Sequence, residues 1–78
     1  MDNPANVVEI LSMFGSWDVF CRKADGRVDR ETQRKFGRDD VAAAHYAVEL
    51  ATERGFKINV GGPFPNKEGI AIIRPHIA

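Results

Sequence analysis

One segment of the sequence, GRDDVAAAHYAVELATERGF at residues 37–56, constrains the fold most strongly. Asp39 or Asp40 can cap a helix, and each places negative charge at the positive end of the helix dipole. Gly55 can end the helix in a left-handed conformation, and Phe56 can fold back on the last turn. Because alanine side chains are small, this helix can lie close to a sheet. The segment predicts the scaffold helix of a small α+β domain.

The apolar residues of this helix recur every three or four positions, which is the period of one helix face. The expected core stripe consists of Val41, Ala44, Val48 and Ala51, with Ala47 and Leu50 beside it. On this interpretation, an aspartate in place of Val48 would bury an unpaired charge and destabilise the domain.

The segment SWDVFCRKADGRV, residues 16–28, predicts a β-hairpin whose first strand has one apolar and one mixed face. The apolar face has Trp17, Val19 and Cys21, and the mixed face has Asp18, Phe20 and Arg22. Gly26 can take the positive φ that the turn requires. The second strand, from Arg27 to about Phe36, carries so much charge that we expect it at an edge of the sheet.

The segment NPANVVEILSMFG, residues 3–15, favours a helix, with a strand as the alternative. At 100° per residue one arc contains Val7, Val8, Ile10, Leu11 and Phe14. On a strand, Glu9 would share its face with apolar residues, whereas a helix places the polar residues and the apolar residues on different faces. Asn3 suits the N-cap, Pro4 the first helical position and Gly15 the C-terminal exit.

The remaining segments predict two closing strands joined by a loop. FKINV alternates as a strand does, GGPFPNKEG has loop composition, and GIAIIRP is expected to be a last strand that Pro75 ends. The expected order is α-β-β-α-β-β. Residues 1–78 then form one α+β domain, with a four-stranded, mostly antiparallel sheet and the Ala-rich helix packed on one face.

Composition restricts the class of protein. The chain has 11 basic and 11 acidic residues, and this zero formal charge argues against a general nucleic-acid coat protein. The single cysteine excludes an internal disulfide and favours a cytoplasmic protein. The start resembles no signal peptide, and no apolar run approaches the length of a membrane span.

No motif in the sequence indicates catalysis or a cofactor. His45, His76 and Cys21 lack the spacing of a metal site. Cys21 lies mid-strand among apolar residues, which predicts an inert thiol. The glycine-rich loop lacks the Gly-Lys-Ser/Thr ending of a phosphate-binding loop. We therefore expect neither an enzyme nor a cofactor or metal.

Five residues are candidates for contact with a partner. Phe64 stands between two prolines, and this placement predicts either an anchor presented at a loop tip or a ring tucked under the sheet edge. Phe20 lies on the second face of its strand, where the first helix would cover it or leave it open to a partner. The expected partner-binding residues are Phe20, Arg22, Arg30, Arg34 and Phe64.

The pattern SWDVFCRKADGRV, DDVAAAHYAVELATERG, INV and GIAIIRP resembles the small phage-encoded anti-CRISPR proteins that inhibit type I systems. The likeness runs from about Val7 to Pro75 and consists of element order and an Ala-rich helix after an acidic cap. The first segment is a strand in that family, unlike the helix favoured above. The resemblance implies a non-enzymatic inhibitor that occludes a surface of a host nuclease complex.

The first expectation is therefore a cytoplasmic protein-binding module, with a host multi-subunit complex as partner. One alternative is a nucleic-acid-binding domain that uses the basic hairpin at residues 22–38, as arm-binding domains of phage integrases do. Another is a structural homodimer formed through an open sheet face. No membrane contact is expected.

Overall fold

The computed structural model describes residues 6–77. It contains a four-stranded sheet, two helices and a short 3₁₀ turn. The elements are β1 (Val7–Met13), β2 (Ser16–Arg22), β3 (Val28–Gly37), α1 (Asp40–Arg54), β4 (Lys57–Gly61), α2 (Lys67–Ile73) and the 3₁₀ turn Arg74–His76. The sheet order is β3-β2-β1-β4, with β4 parallel to β1 and the other pairs antiparallel. The α+β class and a four-stranded sheet are as predicted, but the four strands are not the expected four, the sheet is mixed and the element order is β-β-β-α-β-α.

The first segment is strand β1, so the helix favoured there is wrong. Val8 and Ile10 are fully buried on the side of the helices. Glu9 points to the other side, where Arg22 Nε lies 3.2 Å from its Oε2 and Asn59 Nδ2 donates to its Oε1 at 3.0 Å. These distant partners make a charged residue tolerable in a central strand. The expected caps Asn3 and Pro4 lie outside the described residues.

The hairpin of β2 and β3 forms with Gly26 at a φ of 92° in its turn. Cys21 pairs with Asp29 near the turn, and Val19 pairs with Arg34 further along. Because β3 has more residues than β2 between these pairs, the register shifts and β3 is bulged at its centre. The strand lies at the edge of the sheet, as its charge predicted.

Helix α1 begins after the capping residue Asp39 and ends at Gly55, as the sequence predicted. Asp39 accepts a hydrogen bond of 3.0 Å from the backbone N–H of Ala42, and Gly55 takes a φ of 71° at the C-terminus. The expected core stripe is displaced, because Val41 and Val48 are only half-buried. The buried apolar residues are Ala43, Ala44, Ala47, Leu50 and Ala51. Alanines thus occupy the closest approach of helix to sheet.

The last segment is helix α2, so the expected closing strand is wrong. Ile73 is fully buried in the core cluster that the sheet shares with α1. Gly69 is also buried, and a Cβ there would lie 2.7 Å from Phe64 Cδ1. The β-propensity of the isoleucines is overridden by packing against α1. The core thus lies between the sheet and the helices.

Candidate protein-binding surface

The tip of the β1–β2 hairpin carries the most exposed aromatic residue of the described chain. Met13 pairs with Ser16, so the turn consists of Phe14 and Gly15, with φ values of 54° and 79°. Phe14 is fully exposed, and Met13 beside it is 53% exposed. Two-residue turns with positive φ at both positions favour Asn-Gly. A phenylalanine in the first position therefore strains the backbone while its ring contacts solvent.

Phe14 was not among the predicted contact residues, because the helix expected over residues 3–15 placed it in an apolar arc. The signal for a turn was present in the sequence. Gly15 follows Phe14 between two runs that can each alternate as strands, and such a pair can close a two-residue hairpin. The expected C-terminal exit at Gly15 is instead the second residue of this turn.

The edge strand β3 presents arginines along its length. Arg30, Arg34 and Arg38, which directly follows the strand, are exposed and have no ion pair within residues 6–77. The Arg34 guanidinium lies 4.7 Å from the ring centroid of Tyr46. The Tyr46 hydroxyl donates a 2.6 Å hydrogen bond to the carbonyl of Thr32. These contacts hold the bulged centre of β3 against α1 and give Arg34 a defined position.

Phe20 lies on the face of the sheet turned away from the helices, because its neighbours Val19 and Cys21 belong to the core. It is nevertheless only 5% exposed. The Arg22 guanidinium lies 5.5 Å from the Phe20 ring centroid, and Arg22 is itself held by Glu9. Within residues 6–77 both helices pack on the opposite face of the sheet, and Glu9 pairs with Phe20 across β1 and β2. This residue therefore offers little apolar surface to a partner.

Phe64 is half-buried instead of presented at a loop tip. Its ring centroid lies 4.5 Å from that of Trp17, and the ring packs on the core cluster. The alternative expectation, a ring tucked under the edge of the sheet, describes this position better. Phe64 and Phe20 thus lie on opposite faces of the sheet, so the five predicted residues do not form one patch.

The geometry brings the hairpin tip and the basic edge together. Gly37, at the C-terminal end of β3, pairs with Trp17 directly after the tip, and Arg38 follows. We name this area the tip–edge surface and define it by Phe14, Arg34 and Arg38. Arg30, next to Asp29, lies toward the other end of β3 and is not part of it. The tip–edge surface combines one fully exposed aromatic side chain with two arginines that have no ion pair within residues 6–77.

Other chemistries find little support in the described part of the chain. Burial raises the pKa of the Cys21 thiol, although a hydrogen bond with Thr32 and the charge of Arg54 oppose this shift. Residues 6–77 contain no cluster of three or more His, Cys, Asp or Glu side chains arranged for a metal ion. In the same residues, neither helix has the length and apolar character that a membrane crossing needs.

Comparisons with known proteins supply no relative: no family model matches the sequence, and neither the curated proteins nor the solved structures contain a match.

Proposed function

We propose that this protein is a non-enzymatic protein-binding module whose contact area is the tip–edge surface. The observation that carries the proposal is Phe14, a fully exposed aromatic ring on a backbone of φ 54°. Such a conformation costs a non-glycine residue about 1–2 kcal/mol. A local cost of this kind, without a compensating contact within the fold, is typical of functional positions.

A protein partner suits this surface for two reasons. A fully exposed aromatic side chain can bury a large apolar area against a partner, and aromatic residues are enriched among interface anchors. The arginines of β3 require a partner with acidic groups, and such complementarity sets orientation and association rate. Phe14 would supply affinity, whereas Arg34 and Arg38 would fix the orientation of the partner.

The specific form of the proposal is the one that the anti-CRISPR resemblance implies. The protein would act in the cytoplasm of a phage-infected host and occlude an acidic surface of a type I nuclease complex. Inhibition by occlusion needs a stable interface and no catalytic group.

The direct test is binding to a purified type I CRISPR surveillance complex by surface plasmon resonance. We expect Phe14→Asn to weaken binding at least about tenfold, as loss of an interface anchor does, while Phe14→Tyr keeps the ring and binds like the wild type. Wild-type protein that fails to bind contradicts the anti-CRISPR form. Comparative capture from bacterial lysate with wild-type and Phe14→Asn baits then tests the general proposal.

The contribution of charge is tested by a matched pair of substitutions. Arg38→Glu and Arg74→Glu change the net charge equally, and both residues are exposed, but only Arg38 lies on the tip–edge surface. We expect Arg38→Glu to slow association markedly and Arg74→Glu to have a small effect. Equal effects would mean that overall charge, and not this surface, governs binding.

A nucleic-acid-binding domain is the second candidate, favoured by the three arginines without an ion pair in the described chain. Zero net charge opposes it. Binding through several phosphates would weaken steeply and log-linearly with salt. An interface anchored by Phe14 would change little. A homodimer through the open sheet face is disfavoured because Phe20 contributes almost no exposed area there.

A further inference from the structure

A pocket lies at the end of the domain opposite to the hairpin tip. It opens where β2 ends, β3 begins and α1 gives way to β4, and its volume is about 320 Å³. The lining residues are Asn6, Cys21, Arg22, Lys23, Asp29, Arg54 and Phe56. This volume is in the range of sites for small ligands. The tip–edge surface does not include any of these residues.

Hydrogen-bond donors dominate the polar lining of this pocket. Arg54 has five N–H donors, of which one contacts Asp29 Oδ2 at 3.4 Å within residues 6–77. Arg22 donates one hydrogen bond from Nε to Glu9 and another from a terminal nitrogen to the carbonyl oxygen of Gly26. The remaining donors have no acceptor among the described residues. A ligand that accepts hydrogen bonds would satisfy them.

The charges of the lining favour an anion. Glu9 and Asp29 compensate the two arginines, since each carboxylate lies within ion-pair distance of one of them. Lys23 is exposed and has no ion pair in the described part of the chain. After the two arginines are paired with the two carboxylates, Lys23 therefore gives the pocket its remaining positive charge. An anionic group of a ligand could contact Lys23 and the free guanidinium donors together.

The pocket also has an apolar side. Phe56 is half-buried, and Cys21 is 2% exposed with a thiol whose pKa burial raises. A neutral thiol behaves as a small hydrophobic group. The lining thus offers an aromatic ring and a thiol in addition to its donors, a combination that suits ligands with a charged group and an apolar body.

We propose that this pocket binds a small organic anion, with its carboxylate or phosphate group on Lys23 and Arg54 and its apolar part on Phe56. The proposal is independent of the protein-binding role, because it concerns the other end of the domain.

The test is titration of ¹⁵N-labelled protein with four probes while amide chemical shifts are followed. Phenyl phosphate and benzoate carry both required parts, inorganic phosphate has only the anion, and benzyl alcohol has only the ring. We expect phenyl phosphate, benzoate or both to shift the amides of Cys21, Lys23, Asp29 and Phe56 at millimolar concentration. The relative affinity of the two decides between a phosphate and a carboxylate ligand.

Three results would overturn the proposal. In the first, neither phenyl phosphate nor benzoate shifts the pocket amides. In the second, inorganic phosphate binds as tightly as the aromatic anions, which removes the apolar contact. In the third, benzyl alcohol binds as tightly as the aromatic anions, which would show that the anionic group does not contribute to binding.

A matched pair of variants locates the site. Lys23→Gln removes one charge from the pocket, and Lys67→Gln removes one from the start of α2. Both side chains are exposed, and the turn contacts of Lys23 use its backbone, so neither substitution should unfold the protein. For whichever of phenyl phosphate and benzoate binds more tightly, we expect Lys23→Gln to lower the affinity by about fivefold. Lys67→Gln should leave the affinity unchanged. Equal weakening by both would contradict a specific site.

Discussion

Asn66 links the two helices by donating a 2.8 Å hydrogen bond from Nδ2 to Oδ1 of Asp40. Asp40 is the first residue of α1 and is 2% exposed, while Asn66 directly precedes α2. The second carboxylate oxygen of Asp40 is buried and has no hydrogen-bond partner in the described chain. The Asn66 amide is therefore the only side-chain donor that residues 6–77 provide to this carboxylate.

This contact predicts a large stability effect from a partly exposed residue. Asn66→Ala would leave the Asp40 carboxylate buried without its donor and should lower the free energy of unfolding by about 2–3 kcal/mol. Urea denaturation followed by circular dichroism measures this change. Lys67→Ala, at the next position, is the control and should change stability little. A loss below about 0.5 kcal/mol for Asn66→Ala, which is typical of surface sites, would contradict the importance of this contact.

The packing of α2 predicts that a normally stabilising substitution will destabilise the protein. Alanine usually replaces a helix-interior glycine with a gain of about 1 kcal/mol. At Gly69 the new Cβ would lie 2.7 Å from Phe64 Cδ1 and 2.9 Å from Asp40 Oδ2. We expect Gly69→Ala to lose about 1–3 kcal/mol in urea denaturation, because the core would be overpacked.

A double-mutant cycle checks the cause of this loss. Phe64→Leu should be destabilising by itself, since the ring packs on Trp17. Combined with Gly69→Ala it should cost less than the sum of the two single changes, because the smaller side chain vacates the space that the methyl group enters. Strict additivity would show that Phe64 is not the obstacle.

The parts of the fold that the sequence predicted correctly depend on neighbouring residues. Asp39 and Gly55 flank α1, and Gly26 makes the β2–β3 turn, because capping and turn chemistry act over a few positions. The two wrong segments depend on distant residues. Glu9 is tolerated in β1 through Asn59, fifty positions away. Helix α2 depends on a close approach at Gly69, which no local pattern reveals.

The candidate site was predicted in part, for the same reason. Arg30 and Arg34 lie on an exposed edge strand, as the charge of that strand indicated. Phe20 and Phe64 were selected as aromatic residues without an evident place in the core. Phe20 is nevertheless only 5% exposed, beside Arg22, and Phe64 packs on Trp17. The exposure of Phe14 could be predicted only if β1 was identified as a strand. Because a helix was predicted there, Phe14 was not among the expected contact residues.

The buried thiol of Cys21 predicts both slow chemistry and a pH effect. Native protein should react with an alkylating reagent far more slowly than unfolded protein. Burial raises the pKa of Cys21 above its ordinary value of 9.0, so folding favours the protonated form. The resulting stability is fully present below pH 9.0 and is lost as the pH rises through the folded-state pKa.

Urea midpoints at pH 7 and at several values above pH 9 measure this loss. Tyr46, whose pKa burial also raises from 10.0, contributes in the same direction at higher pH. Cys21→Ala should therefore lose less stability than the wild type in the window just above pH 9. An identical pH dependence of the two proteins would show that the thiol does not contribute.

The final prediction separates stability from binding at Phe14. Asparagine tolerates the left-handed conformation that phenylalanine adopts here at φ 54°, and Asn-Gly is the preferred sequence for a two-residue turn of this kind. Because the ring makes no buried contact, its removal forfeits no packing. We expect Phe14→Asn to raise the free energy of unfolding by about 1 kcal/mol while weakening binding to the partner at least about tenfold.

Phe14→Tyr is the control for both measurements, since it keeps the aromatic ring and the backbone strain. It should match the wild type in urea denaturation and in surface plasmon resonance. A destabilised Phe14→Asn protein would show that the ring contributes to the fold and that its exposure has been misjudged. A stabilised Phe14→Asn protein with unchanged binding would remove the hairpin tip from the interface, and only the arginines of β3 would then remain as contact residues.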